Sequence, residues 1–63
     1  MLYLSEILIQ RHDLQQFSEL VAAVRGAAAG RRFLRMDVRP PFPDTPEDWE
    51  DRLEAAFAAA PER

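Results

Sequence analysis

Cysteine and lysine are absent from this chain, and histidine occurs once in its 63 residues. Without cysteine the chain forms neither a disulfide nor a thiolate metal site, and one histidine excludes a histidine-rich metal site. Chains of this length bury only about 60% of their unfolded surface, and disulfides, a metal or a partner subunit usually stabilise them. Association with another chain is therefore the expected source of additional stability.

Long apolar runs, a basic N-terminal segment and an excess of positive charge are also missing. The longest apolar run near the N-terminus is Ile7–Ile9, whereas roughly 20 apolar residues are needed to span a bilayer. The formal net charge of -3 argues against nucleic-acid binding. These absences predict a cytoplasmic protein that binds neither membrane nor nucleic acid. All eight basic residues are arginine, and ten alanines accompany them, a usage typical of GC-rich bacterial genomes.

Two segments have the pattern of β-strands. Residues 2–9 carry apolar side chains on both faces, as strands covered on both sides do. A helix is the alternative for this segment, because short apolar runs do not discriminate between the two. Residues 32–39 alternate apolar and charged side chains, which predicts a second strand with one solvated face.

Two helices are predicted, over residues 14–29 and 46–60, with a proline-rich extended connector over residues 40–46. Asp13 is the expected N-cap of the first helix and Gly30 its left-handed C-cap. Thr45 is the expected N-cap of the second helix, with Pro46 at the first helical position. Apolar residues recur at helical spacing, namely Leu14, Phe17, Leu20, Val21 and Val24 in the first helix and Trp49, Leu53, Ala56, Phe57 and Ala60 in the second.

These segments predict a single small domain over residues 1–63, of α+β class, with the order β-α-β-α. Two strands are too few for a self-sufficient sheet in water, so we expect the sheet to be completed by oligomerisation or by a partner chain. A right-handed crossover through the first helix would make the two strands parallel. A foreign strand inserted between them is the alternative.

The opening of the chain resembles the first strand and helix of small ferredoxin-like dimeric α/β-barrel proteins, which include the antibiotic-biosynthesis-monooxygenase-like and NIPSNAP-like groups. The resemblance covers residues 2–21 and depends on an apolar strand, the polar turn Arg11–Asp13 and the segment Leu14–Leu20. It implies a β-α unit at this point. It implies no activity and no site residue, because the chain is too short for the four-stranded unit of those families.

Four aromatic residues are candidates for a protein interface: Phe33, Phe42, Trp49 and Phe57. Proline-rich extended segments such as residues 40–43 dock well on aromatic surfaces, because little conformational entropy is lost on binding. The alternative is a rigid connector with Phe42 packed into the protein's own core.

A second candidate surface is the cluster Arg31, Arg32, Arg35 and Arg39. Guanidinium groups bind phosphates or carboxylates, so this cluster predicts either an anion site or ion pairs with acids across an interface. The negative net charge and the lack of a glycine-rich phosphate loop favour ion pairs. An acidic cluster that could supply them within the chain or between subunits follows: Asp44, Glu47, Asp48, Glu50, Asp51 and Glu54.

Signatures of catalysis and cofactor binding are not recognisable. His12 beside Asp13 could transfer protons, but adjacency alone does not supply the geometry, and a helix cap with an exposed neighbour explains the pair. The acidic cluster does not match the spacing of a calcium loop, and acids at a helix start need only complement its dipole. We predict no catalytic residue, no metal and no cofactor.

The sequence therefore predicts a small non-enzymatic accessory or structural subunit that binds another protein chain, or its own copy, in a bacterial multi-subunit complex. Two alternatives belong to other classes. One is a small homo-oligomeric ligand-binding or enzymatic protein with a pocket near His12, Arg35 and Arg39. The other is an acidic inhibitor that covers a basic active site with residues 44–54.

Overall fold

A computed structural model describes residues 1–59, which form three helices and a two-stranded sheet. This is a mixed α+β arrangement, as predicted. The strands are parallel and pair directly with each other, so no foreign strand lies between them. The elements are β1 (Leu2–Tyr3), α1 (Leu4–Gln10), α2 (Phe17–Ala27), β2 (Leu34–Arg35) and α3 (Trp49–Ala58).

The prediction of a strand over residues 2–9 is wrong beyond Tyr3, because α1 begins at the next residue. Leu4 and Ile7 are buried and Leu8 packs against the same core, which is the i, i+3, i+4 pattern of one helix face. A strand covered on both faces would bury Ile9, yet its side chain is 66% exposed. The helix alternative is the correct one, and the resemblance to the ferredoxin-like barrels loses the strand on which it depended.

Helix α2 starts one turn later than predicted, because its N-cap is Gln16 and not Asp13. The Glu19 carboxylate accepts backbone N–H bonds from Gln15 and Gln16 at 2.7 and 3.3 Å. Glu19 thereby supplies the N3 half of a capping box. Asp13 lies in the preceding turn and pairs with Arg11.

The end of α2 and the start of β2 are joined by a glycine turn. The helix stops at Ala27, two residues before the predicted end, and Gly30 lies beyond it with φ of 78°. This positive φ is the left-handed conformation expected of a stop signal, in the turn after the helix and not at its cap.

Strand β2 covers two of the eight residues predicted over 32–39. Leu2 pairs with Leu34 and Tyr3 with Arg35, and the Leu2 N–H also donates to the Phe33 carbonyl at 2.9 Å. Because β1 turns into a helix after Tyr3, β2 has no strand to pair with beyond Arg35. The alternation still holds for Leu34 and Met36, which pack against the core, whereas Val38 is exposed.

Helix α3 begins three residues after the predicted start at residue 46, and its N-cap is Asp48 in place of Thr45. The Thr45 hydroxyl instead donates to the Pro40 carbonyl at 3.5 Å within the connector. The predicted helix end at Ala60 lies outside the described residues.

The core lies between the three helices and the inner face of the sheet. Helix α2 is central, since it packs against both α3 and α1. The side chains with no exposed surface are Leu4, Leu20, Val24 and Leu53, one or two from each helix. The helical periodicity of α2 and α3 predicted three of these four correctly.

Candidate protein-binding face

One face of the β1–β2 sheet is buried and the other is open. Side chains alternate between the faces of a strand, and Leu2 and Leu34 pack inward on the core. Their neighbours therefore point outward. These neighbours are Met1, Tyr3, Phe33 and Arg35, and we call them the outer sheet face.

Three of these four outward side chains are apolar or aromatic. Met1 is 61% exposed, Tyr3 40% and Phe33 62%. The faces of a parallel sheet are normally both covered, and an exposed apolar patch rimmed by polar residues marks a site of interaction. The outer sheet face has the character of a surface that another element covers.

The structure divides the four aromatic candidates into two groups. Phe42, Trp49 and Phe57 are partly buried and pack against the chain's own core, which for Phe42 is the rigid-connector alternative. Phe33 alone of the four is exposed. The aromatic contribution to a protein contact therefore comes from Phe33, with Tyr3 as a neighbour that the sequence argument did not select.

The four arginines of the predicted cluster are all exposed, and we call them the arginine edge. Among residues 1–59 the ion pairs are Arg11–Asp13 at 3.0 Å and Arg52–Asp48 at 2.8 Å. Neither involves the arginine edge, so the described part of the chain leaves its guanidinium groups without an ion-pair partner. Arg35 joins this edge to the outer sheet face.

The acidic cluster separates into carboxylates with structural bonds and carboxylates that face solvent. Asp44 accepts a hydrogen bond from the Phe17 N–H at 3.0 Å, and Asp48 pairs with Arg52. The remaining four are exposed and follow one side of α3 and the turn before it at helical spacing. We call them the acidic face of α3: Glu47, Glu50, Asp51 and Glu54. Within residues 1–59, no three acidic or histidine side chains lie together in a way that would hold a metal ion.

Asp37, which lies among the arginines of residues 31–39, caps the first helix. Its carboxylate accepts the Ser5 backbone N–H at 3.1 Å and the Ser5 hydroxyl at 2.6 Å. The hydroxyl bond is the main reason that the pKa of Asp37 lies below its ordinary value, and the positive charge of Arg35 adds to the effect. Ser5 and Asp37 are far apart in sequence, so no local sequence pattern predicts this bond.

The turn at His12 does not have the geometry of an acid–base pair. Arg11 donates to both carboxylate oxygens of Asp13, at 3.0 and 3.1 Å. This hydrogen bonding lowers the pKa of Asp13, whereas His12 adds only a small charge effect and is itself exposed. The Asp13 carboxylate is therefore occupied by a guanidinium and does not orient the imidazole.

Two open grooves flank the central helix. One, of about 430 Å³, lies between α1 and α2 and has Arg11 and Asp13 at its edge. The other, of about 650 Å³, lies between α2 and α3 and is lined by Phe17 and several alanines. In the first groove Arg11 bonds Asp13. In the second, Asp44 bonds the Phe17 N–H and Arg52 bonds Asp48. These bonds occupy most of the charged groups of the two grooves.

Comparison with known proteins gives no relative from which a role could be transferred. No protein-family model, curated protein or solved structure matches the chain. Within the described residues, none of the helices is both long and apolar enough to cross a lipid bilayer. The surfaces of the chain are therefore the observations from which its function is inferred.

Proposed function

We propose that this chain is a small non-enzymatic accessory subunit that binds another protein chain in a bacterial multi-subunit complex. The observation that carries the proposal is the outer sheet face, where Met1, Tyr3 and Phe33 stand exposed on a two-stranded parallel sheet. A parallel sheet of this kind is stable in proteins when both of its faces are covered. A partner chain would supply the missing cover.

The residue types on this surface support a protein partner. Aromatic residues, methionine and arginine are enriched at the centres of protein interfaces, and the few residues that dominate binding energy are most often tryptophan, tyrosine or arginine. Tyr3 and Arg35 are paired across the two strands, and Met1 and Phe33 lie two positions before them in sequence. The surface therefore has an apolar centre beside the arginine edge.

The contact is expected to depend on burial of Phe33. A fully buried phenylalanine side chain contributes about 1.5–3 kcal/mol relative to an exposed one. Phe33 makes little contact with the chain's own core, since most of its surface is exposed. Its replacement by serine should therefore weaken a partner contact while leaving the fold of the isolated chain intact.

The test is capture of the partner by tagged chain from an extract of its native cells, with the mass of the native complex determined afterwards. Three chains are compared: wild type, Phe33→Ser and the control Ile9→Ser, which also replaces a highly exposed apolar side chain but on α1. We expect one stoichiometric protein with wild type and with Ile9→Ser, and its loss with Phe33→Ser. Equal capture by all three chains would show that the outer sheet face is not the contact surface.

A further inference from the structure

Eight of the exposed charged residues of this chain lie on two separate surfaces, four basic and four acidic. The arginine edge carries four guanidinium groups over residues 31–39, and the acidic face of α3 carries four carboxylates over residues 47–54. Close ion pairs between the two surfaces do not form within residues 1–59, where the pairs that exist lie elsewhere. The chain therefore presents a basic surface and an acidic surface of equal charge number.

The two surfaces lie on different elements of the fold. Strand β2, at the centre of the arginine edge, pairs with β1, whereas α3 packs against α2. Inside one chain the acidic face of α3 is directed away from the core, because its opposite side is anchored by Leu53 and Ala56. Both surfaces are therefore exposed to contact by another molecule.

We propose that a second copy of this chain covers the outer sheet face, with its acidic face of α3 against the arginine edge of the first. The inference rests on the proposed function, in that it takes the outer sheet face as a protein contact surface, and it names the occupant. Guanidinium groups bind carboxylates through paired, charge-assisted hydrogen bonds. Reciprocal contact would neutralise both surfaces at once.

Apolar contact accompanies the charge pairing in this arrangement. Ala58 lies one turn beyond Glu54 on the same side of α3 and is exposed. Its small side chain leaves space beside the carboxylates for a large group of the facing molecule. Phe33 and Met1 are the large exposed groups next to the arginine edge. In the proposed arrangement they pack against Ala58 of the facing molecule.

A phosphate-bearing partner such as nucleic acid fits the molecule less well. The four arginines would attract phosphates, but the chain has a formal net charge of -3 and the acidic face of α3 would repel them. A second copy gives a contact to both charged surfaces, whereas a polyanion gives a contact to one and repulsion at the other.

The test is a charge swap followed by sedimentation. The wild-type chain, Arg35→Glu and Glu54→Arg are each examined over a concentration series from about 1 µM to about 100 µM, which distinguishes a dissociation constant of about 1 µM from one of about 10 µM. We expect wild type to associate and each single variant to lose at least about tenfold in affinity, because like charges then face each other. An equimolar mixture of the two variants should recover association, since each variant supplies the complement that the other has lost.

Controls separate this pairing from general effects of charge. Arg25→Glu makes the same change in net charge on an exposed position of α2 and should leave association unchanged. Arg32→Glu is a second variant of the arginine edge and should weaken association as Arg35→Glu does. Circular dichroism verifies that every variant is folded. Raising the salt from about 0.1 M to about 1 M shortens the screening length from about 10 Å to about 3 Å and should weaken association.

Two results would overturn the proposal. The first is a wild-type chain that sediments as a folded monomer at low salt, and the second is a mixture of the charge-swap variants that fails to associate while wild type does. Binding of a fluorescent single-stranded oligonucleotide that Arg35→Glu abolishes, with no self-association, would assign the arginine edge to nucleic acid instead. If the chain is monomeric but still captures another protein through Phe33, the proposed function stands and only the second copy as occupant is wrong.

Discussion

Asp37 binds Ser5 twice, through the backbone N–H at 3.1 Å and through the hydroxyl at 2.6 Å, across 32 positions of sequence. Ser5 is the second residue of α1, whose N-cap residue Tyr3 makes no side-chain capping hydrogen bond. The carboxylate satisfies a free N–H group at the helix start and complements the positive end of the helix dipole. The segment after β2 therefore stabilises the helix that follows β1.

Removal of this carboxylate is expected to destabilise the chain. Asp37→Ala loses both acceptors of the Ser5 bonds, whereas Asp37→Asn keeps one acceptor oxygen and loses the charge, so the urea midpoint should fall in both and further in Asp37→Ala. Gln10→Ala is the control, because Gln10 is an exposed polar residue of α1 that belongs to neither charged surface. Equal midpoints for Asp37→Ala and Gln10→Ala would mean that the bonds to Ser5 contribute nothing to stability.

Stability should also decrease in acid in a way that depends on Asp37. Hydrogen bonding lowers the pKa of Asp37 through Ser5 and that of Asp13 through Arg11. A carboxyl whose pKa is lower in the folded chain than in the unfolded chain, at about 3.9, stabilises the fold above that value and loses this contribution as the pH falls through the folded pKa.

The expected result is a urea midpoint that these two groups leave constant from about pH 7 to about pH 5 and that declines below. In Asp37→Asn the decline should be shallower, since one of the two titrating groups is gone. Urea titrations of both chains at a series of pH values measure this. Parallel curves for the two chains would contradict the assignment to Asp37.

Asp44 performs a similar role at α2, where its carboxylate accepts the Phe17 N–H at 3.0 Å. Loss of a helix-capping side chain typically costs about 1 kcal/mol, and Asp44→Ala should lower the free energy of unfolding by about that amount. Hydrogen exchange at the Phe17 amide should become faster as well. Gln10→Ala, which replaces an exposed polar residue of α1, is the control, and a similar acceleration in that variant would argue against the capping role.

The two glycines should respond to alanine in opposite directions. Gly30 has φ of 78°, and a Cβ there would meet nothing within 4 Å, so the cost of Gly30→Ala is backbone strain alone, about 1–2 kcal/mol. Gly26 lies inside α2, also with open space around a built Cβ, and Gly26→Ala should stabilise by about 0.5–1 kcal/mol. Thermal melts of both variants test the pair, and a shift of both in the same direction would contradict the assigned backbone conformations.

Part of this fold can be predicted from the sequence because the information is local. The apolar spacing of α2 and α3 identifies Leu20, Val24 and Leu53 as core residues, since a helix face repeats every three to four positions. The apolar run over residues 2–9 did not distinguish a strand from a helix. Residues 2–9 supply apolar side chains to either face of a strand and to one face of a helix, and the boundary after Tyr3 depends on a bond from Asp37 that is distant in sequence.

The candidate site shows the same division. The alternation around Leu34 and Met36 predicts a solvated face that carries Arg35 and Arg39, and both are exposed. Phe33 interrupts that alternation, so its exposure did not follow from it. The exposure of Tyr3 was not predicted, since the segment was interpreted as covered on both faces. Trp49 and Phe57 belong to the apolar stripe predicted for the second helix, and both pack against the core. The burial of Phe42 depends on how the connector packs on the helices, which helical spacing does not predict.

The segment from Asp37 to Asp44 limits where this chain can accept inserted or deleted residues. Its two ends cap two different helices, and Pro40, Pro41 and Pro43 between them fix φ and so limit the freedom of the backbone. Surface loops ordinarily accept inserted or deleted residues at little cost. Here one residue more or fewer would move one aspartate away from the helix that it caps. The length of this segment is therefore constrained, although nearly all of it is irregular.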